Sequence, residues 1–173
     1  TDYGQDLEAP ASTGKIGFDK VLSSLAREIA RQDKNVWIRF LYTHPQTLGA
    51  EVIKVVQAHD NLCSYYDVPI QHAATTMLKR MGRPYTREEL IDLFKLIRKL
   101  DPGASLRTTL IVGFPGETQE EFEILKNFIE QVRFDHLGVF IYSDSHDLKS
   151  HGLKDHVPEE IAEKRHDTLM AAQ

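Results

Sequence analysis

The sequence has little cysteine: Cys63 is the only one. A disulfide framework, a cysteine-built zinc site and an iron–sulfur cluster cannot be assembled from this chain alone, and a reducing compartment fits. No apolar run approaches the roughly 20 residues that span a bilayer, and the first residues lack the pattern of a secretory leader. The GxxxxGK[ST], GxGxxG and GxSxG patterns are missing, which excludes a P-loop, a dinucleotide fingerprint and a nucleophile elbow. Positive charge is outnumbered: 21 Lys and Arg against 26 Asp and Glu leave a net charge of −5. That argues against a broad basic footprint for nucleic acid on this chain.

What is present suits one globular domain. Hydrophobic residues make up 41% of the 173 positions and charged residues 27%. The chain is organised around Leu106–Thr118, LRTTLIVGFPGET. Leu106–Val112 suits a buried strand with both faces covered, the habit of parallel sheets. Gly113-Phe114-Pro115-Gly116 ends it, and Glu117-Thr118 opens a helix. Such a turn lets backbone approach a ligand closely, and it equally suits an ordinary strand-to-helix connection.

Thr1–Gly17 is polar and reads as loop. Phe18, Val21, Leu22, Leu25 and Ile29 recur at helical spacing, with Asp19 and Glu28 opposite. Trp37–Tyr42 predicts a strand, and Leu48, Val52, Val55 and Val56 a second helix. Tyr65–Ile70 predicts the next strand and Ala73–Met81 a short helix. Thr86 to Glu89 and Thr118 to Glu121 are capping boxes that start helices. The first buries Leu90, Leu93, Phe94 and Ile97 and stops at Asp101-Pro102-Gly103; the second buries Phe122, Leu125, Phe128, Ile129 and Val132. Leu137–Tyr142 predicts a last strand and Asp147–His156 a polar loop. Pro158 suits a first helical position, with Ile161, Arg165 and Leu169 along one stripe. Alternating strands and helices imply right-handed βαβ units and a parallel sheet.

The unusual polar residues fall at strand C-terminal ends: Asp2-Tyr3, Tyr42-Thr43-His44, Gln71-His72, Gly113–Glu117 and Tyr142-Ser143. In a parallel sheet or barrel those ends share one face, and that face holds the site. Each also has a plain reading: His44 as a cap, Gln71-His72 as a satisfied pair, Tyr142-Ser143 as packing and a turn. Arg107 lies at the start of its strand and suits the opposite rim; because Arg107 and Thr109 alternate, both also suit a barrel interior. His146, His151 and His156 read as solvated loop, and no metal site is expected.

FLYTHP at 40–45, DVPIQH at 67–72, RTTLIVGFPGET at 107–118 and FIYS at 140–143 resemble the successive strand-end motifs of the radical SAM methylthiotransferases, in that family's order and spacing. Thr1-Asp2-Tyr3-Gly4 resembles the end of an earlier motif, and Leu169–Gln173 the segment before the family's C-terminal TRAM domain. The resemblance implies a partial TIM-type barrel of the radical SAM kind, truncated at its N-terminal strands, with residues 1–173 forming part of the core domain. The CxxxCxxC segment, the N-terminal cluster domain and the TRAM domain are expected outside this stretch, and Cys63 is not a ligand.

The resemblance is strongest to the branch that adds a methylthio group to an aspartate of a small-subunit ribosomal protein. Tyr3-Gly4 followed by Asp6-Leu7, and the stretch from Tyr142 to Glu160, favour it. The alternatives are the branch acting on a tRNA adenosine, a different α/β-barrel enzyme such as a lyase, and a binding module without chemistry. Ser145-His146-Asp147-Leu148 departs from the family's usual residues and leaves substrate choice open there. The implied cofactors are S-adenosylmethionine and 4Fe–4S clusters whose cysteine ligands are absent from this chain. Gly113, Gly116 and Glu117 would meet the adenine; Gln71, His72 and Thr109 the ribose or amino-acid part; Arg107 its carboxylate; Tyr142 and Ser143 the adenine or substrate. A flavodoxin-type reductant, a cytoplasmic location without membrane attachment, an inactive isolated fragment and its self-association through the open barrel edge complete the expectation.

Overall fold

The computed structural model describes residues 17–147 and 149–173. The predicted readings on Thr1–Gly4, Asp6-Leu7, nearly all of the Thr1–Gly17 loop, and Leu148 lie outside the described residues. The described elements run α1 (Phe18–Gln32), α2 (Ala50–Ala58), β1 (Tyr65–Asp67), α3 (Thr75–Arg80), α4 (Arg87–Leu100), β2 (Ser105–Val112), α5 (Gln119–Val132), β3 (His136–Ile141), a 3₁₀ turn (Lys149–Gly152) and α6 (Glu159–Ala171). The strands lie in the order β1-β2-β3, all parallel, with Asp67 beside Arg107 and Arg107 beside His136.

The expected α/β chain with a parallel sheet is what forms. Both capping boxes close as the sequence predicts: Thr86 and Thr118 each accept from the backbone three residues on, and Glu89 and Glu121 reach back. On β2 the burial alternates strictly. Leu106, Thr108, Leu110 and Val112 are buried in the helix-covered core; Ser105, Arg107, Thr109 and Ile111 point the other way and are half-buried. This corrects the expectation of a strand covered on both faces. The second face is open: Phe140, beside Ile111 on the neighbouring strand, is 58% exposed.

Several boundaries differ for physical reasons. Trp37–Tyr42 forms no full strand. It runs beside β1, with Ile38 bonded to Asn61 and Cys63 and the Thr43 amide to the Asp67 carbonyl, but among the described residues only Ile38 and Leu62 make a bridge. Tyr42 adopts φ 57°, which turns the chain out of extended geometry, and Trp37 is left 71% exposed. The strand predicted over Tyr65–Ile70 shortens to β1 because Pro69 has no amide to continue the ladder and Gln71 takes φ 68°. Pairing resumes at Gln71, which sits beside Leu110 in a single parallel bridge. On α1 the buried stripe is Leu22 and Ala26, and Leu25 is exposed. On α6 the stripe is Ala162, Arg165 and Leu169, Ile161 is exposed, and Pro158 is the N-cap instead of the first helical residue.

Candidate functional site

The end of β2 runs into a turn that is closed by its own glutamate. Gly113 takes φ 75° and Gly116 φ 79°, conformations that side chains resist. The chain doubles back so that Glu117 lies under Gly113, and the Gly113 amide donates to Glu117 Oε2. Arg165 Nη1 donates to the same oxygen at 2.9 Å and to the Glu117 carbonyl at 3.0 Å. The other carboxylate oxygen, Oε1, lies 3.3 Å from His72 Nε2. The Ala74 amide donates to His72 Nδ1 at 2.9 Å, so Nδ1 carries no proton and Nε2–H is the donor to Glu117. His72 and Glu117 are both buried, and these bonds give every side-chain nitrogen and oxygen of the two a partner.

His72, Gly113, Gly116 and Glu117 are therefore brought together, but inward. Both glycines have neighbours where a side chain would stand. A Cβ on Gly113 would come within 2.6 Å of Ala162 Cβ, and one on Gly116 within 2.4 Å of Arg80 Nη1. Arg80 also donates to the Gly116 carbonyl at 2.7 Å. Tyr142 joins the same rim, its ring edge-on to Phe114 at 5.0 Å, with its hydroxyl shared between Asp144 and Ser150. Ser143 is exposed beside it. Gln71 presents a half-buried side chain that makes no hydrogen bond among the described residues.

Arg107 and Thr109 form a second group on the open face of β2. Arg107 Nη1 donates to Asp67 Oδ1 at 2.7 Å and to Thr109 Oγ1 at 3.3 Å. The bond to Asp67 raises the Arg107 pKa, against a smaller lowering from burial, so the guanidinium stays charged. Asp67 Oδ2 in turn accepts the Tyr42 amide at 3.2 Å. Nε and Nη2 of Arg107 keep their donors free among the described residues. At roughly 3.3 Å per residue, Arg107 stands about 20 Å of strand below Gly113 and Thr109 about 13 Å. Arg107 also lines a cleft of about 600 Å³ at the strand N-terminal ends, with Trp37, Arg39, Tyr65 and His136. Arg107 thus stands on the open face of the sheet, low on its strand.

Asp67 and Arg165 escaped the sequence reading of the site. Asp67 carried a signal, a carboxylate two residues before Pro69 in a strand. Arg165 carried a weaker one, a guanidinium on an apolar helical stripe. His146 and His151, read as solvated loop, are exposed and also form a chain with Asp144: His151 Nδ1 donates to Asp144 Oδ2 at 2.8 Å, and His151 Nε2 lies 3.0 Å from His146 Nδ1. The bond from His151 lowers the Asp144 pKa. No group of three His, Cys, Asp or Glu among the described residues is arranged to hold a metal ion. With one cysteine, the chain does not fit an iron–sulfur cluster.

The sequence model of the radical SAM superfamily matches residues 15–129. The chain is 49% identical over 173 residues to the ribosomal protein uS12 methylthiotransferase RimO of Desulfosudis oleivorans, covering all of this chain and 37% of that protein. It is 46% identical over 165 residues to the protein of the same name from Clostridioides difficile, covering 93% of this chain and 37% of that one. The chain thus spans a little over a third of the length of these relatives. Among solved structures, coproporphyrinogen III oxidase (HemN) of Escherichia coli, a radical SAM enzyme, superposes with a TM-score of 0.70 at 18% identity, over 89% of this chain and 36% of that one. The radical S-adenosylmethionine methyltransferase TsrM of Kitasatospora setae gives 0.55 at 19% identity, over 71% and 24%. These two likenesses show the fold, a parallel α/β piece of a barrel. With two thirds of its length matched by the family's sequence model, the chain belongs to the radical SAM superfamily.

Proposed function

We propose that this chain is the S-adenosylmethionine-facing part of a methylthiotransferase that modifies an aspartate of ribosomal protein uS12. The observation that carries this reading is the 49% identity over the whole chain to a protein of that name. The cofactor reading draws on the rim: Gln71 has an unpaired side chain there, and Tyr142 and Ser143 stand at the adjoining strand end. S-adenosylmethionine supplies a radical and a methyl group when bound with the family's cluster. This chain's residues bind and orient it. Gln71, the backbone of Gly113–Gly116, Tyr142 and Ser143 contact it; Thr109 and Arg107 lie beneath; His72 and Glu117 hold the turn from behind. The whole of 1–173 is one part of the core domain. The substrate partner is uS12, the electron donor a flavodoxin-type protein, and the location the cytoplasm. Among the described residues no helix is long and apolar enough to cross a membrane. The isolated piece is inactive and self-associates through its open sheet face.

The test uses the full-length protein with its clusters loaded. Incubation with S-adenosylmethionine, reductant and uS12 is expected to add one methylthio group to an aspartate, read by mass spectrometry. Methylthiolation of a tRNA adenosine instead overturns the substrate. Gln71→Ala is expected to weaken S-adenosylmethionine binding about tenfold, the loss of a ligand hydrogen bond, with Arg107→Leu smaller. Unchanged affinity in both variants overturns the site.

A further inference from the structure

The last helix reaches back into the turn at both of its ends. Ala162 stands against Gly113, and Arg165, three residues on, holds the carbonyl and carboxylate of Glu117. Arg165 is only 6% exposed, and its guanidinium carbon lies 5.4 Å from the centre of the Phe122 ring. A turn with two glycines at positive φ has many conformations open to it, and glycine side chains select none. The bond that closes this one runs from the Gly113 amide to Glu117 Oε2. The place of that oxygen is fixed by Arg165, among the described residues the one full positive charge bonded to it.

We propose that Arg165 is a positioning residue for cofactor binding: from α6 it holds Gly113–Glu117 in the single conformation that meets S-adenosylmethionine. This rests on the cofactor reading above. Arg165 acts through Glu117 and touches no ligand itself. One nitrogen, Nη1, makes both of its bonds, so the planar fork of arginine is not required. A lysine has one nitrogen with enough donors for both.

The experiment compares Arg165→Met and Arg165→Lys in the full-length, cluster-loaded protein, below the melting temperature of each. Two quantities are read: the dissociation constant for S-adenosylmethionine and amide hydrogen exchange at Gly113. Ile111, whose amide donates to the Gln71 carbonyl, is the control amide. Arg165→Met is expected to raise the dissociation constant at least about tenfold, the cost of a displaced contact set, and to speed exchange at Gly113 but not Ile111. Arg165→Lys is expected to return both to within about threefold of the wild type. Should Arg165→Met fail to fold, Arg165→Gln, which keeps a donor, is read the same way. Wild-type affinity in Arg165→Met overturns the proposal, because a purely structural residue lowers the melting temperature without moving affinity in the folded protein. Unchanged exchange at Gly113 overturns it too. A wild-type protein that does not bind S-adenosylmethionine overturns the cofactor reading, and shows it in the wild-type arm alone.

Discussion

The two arginine–carboxylate pairs at opposite ends of β2 are alike in chemistry and opposite in setting. Arg165–Glu117 closes at 2.9 Å and Arg107–Asp67 at 2.7 Å. In the first, the side chains are 7% and 0% exposed; in the second, 29% and 2%. Glu117 collects an arginine, a histidine and a backbone amide, so both of its carboxylate oxygens have partners without a ligand, and Arg165 Nε, a donor left over among the described residues, is buried. Arg107 gives one nitrogen to Asp67 and Thr109 and, among the described residues, keeps donors on the open face of the sheet. A buried pair with its carboxylate fully engaged shapes a site, whereas a part-exposed guanidinium with donors left over is where a ligand can bond.

The largest expected effect breaks this comparison directly. Arg165→Met leaves a buried carboxylate without its charge partner and is expected to cost about 3–5 kcal/mol in urea unfolding. Arg107→Leu is expected to cost only about 1–2 kcal/mol, because that pair is part-solvated and Asp67 keeps the Tyr42 amide. Equal losses would mean that burial does not separate the two pairs. Next in size is Gly113→Ala. Its positive φ and the 2.6 Å approach to Ala162 are expected to cost about 2–3 kcal/mol. Gly138→Ala, on the open face with its nearest atoms at 3.6 Å, is expected to stay within about 0.5 kcal/mol, read by thermal melting.

A smaller loss than that of Gly113→Ala sharpens the comparison at the helix-covered side. Tyr66 is fully buried and donates to Asp101 Oδ2 at 3.0 Å; burial, then the Asp101 carboxylate, pushes its pKa far above the usual value. A folded pKa raised above the unfolded one gives stability that is complete below about pH 10 and is lost as pH rises beyond it. Tyr66→Phe is expected to cost about 1 kcal/mol at neutral pH and to flatten the alkaline fall in melting temperature. A wild-type protein whose stability does not fall above pH 10 would contradict the buried hydroxyl.

The elements legible in sequence are those whose causes are local. The capping boxes at Thr86 and Thr118 need only residues three apart, and β2 needs only its own run of side chains. The alternation of Arg107 and Thr109 was legible for the same reason, since a strand places every second residue on one face. The extent of Trp37–Tyr42 was not, because a strand exists only as far as its neighbour pairs with it, and Tyr42 turns away. On α1, spacing alone admitted Leu25 to the stripe; packing against α2 set the rotation that buries Ala26 instead. The strand-end motifs located the rim, but which of its residues face a ligand was not readable from them.

The sequence by itself determined the alternation of strands and helices, the parallel sheet and the gathering of Gln71, His72, Gly113–Glu117 and Tyr142 at one rim, because periodicity and chain direction are properties of neighbours along the chain. Only the tertiary structure decided that His72 and Glu117 turn inward while Gln71 stays unpaired. The residue responsible, Arg165, lies 48 positions from Glu117. In sequence it is one more arginine on a helix; only the folded chain brings its charge to a buried carboxylate that requires one.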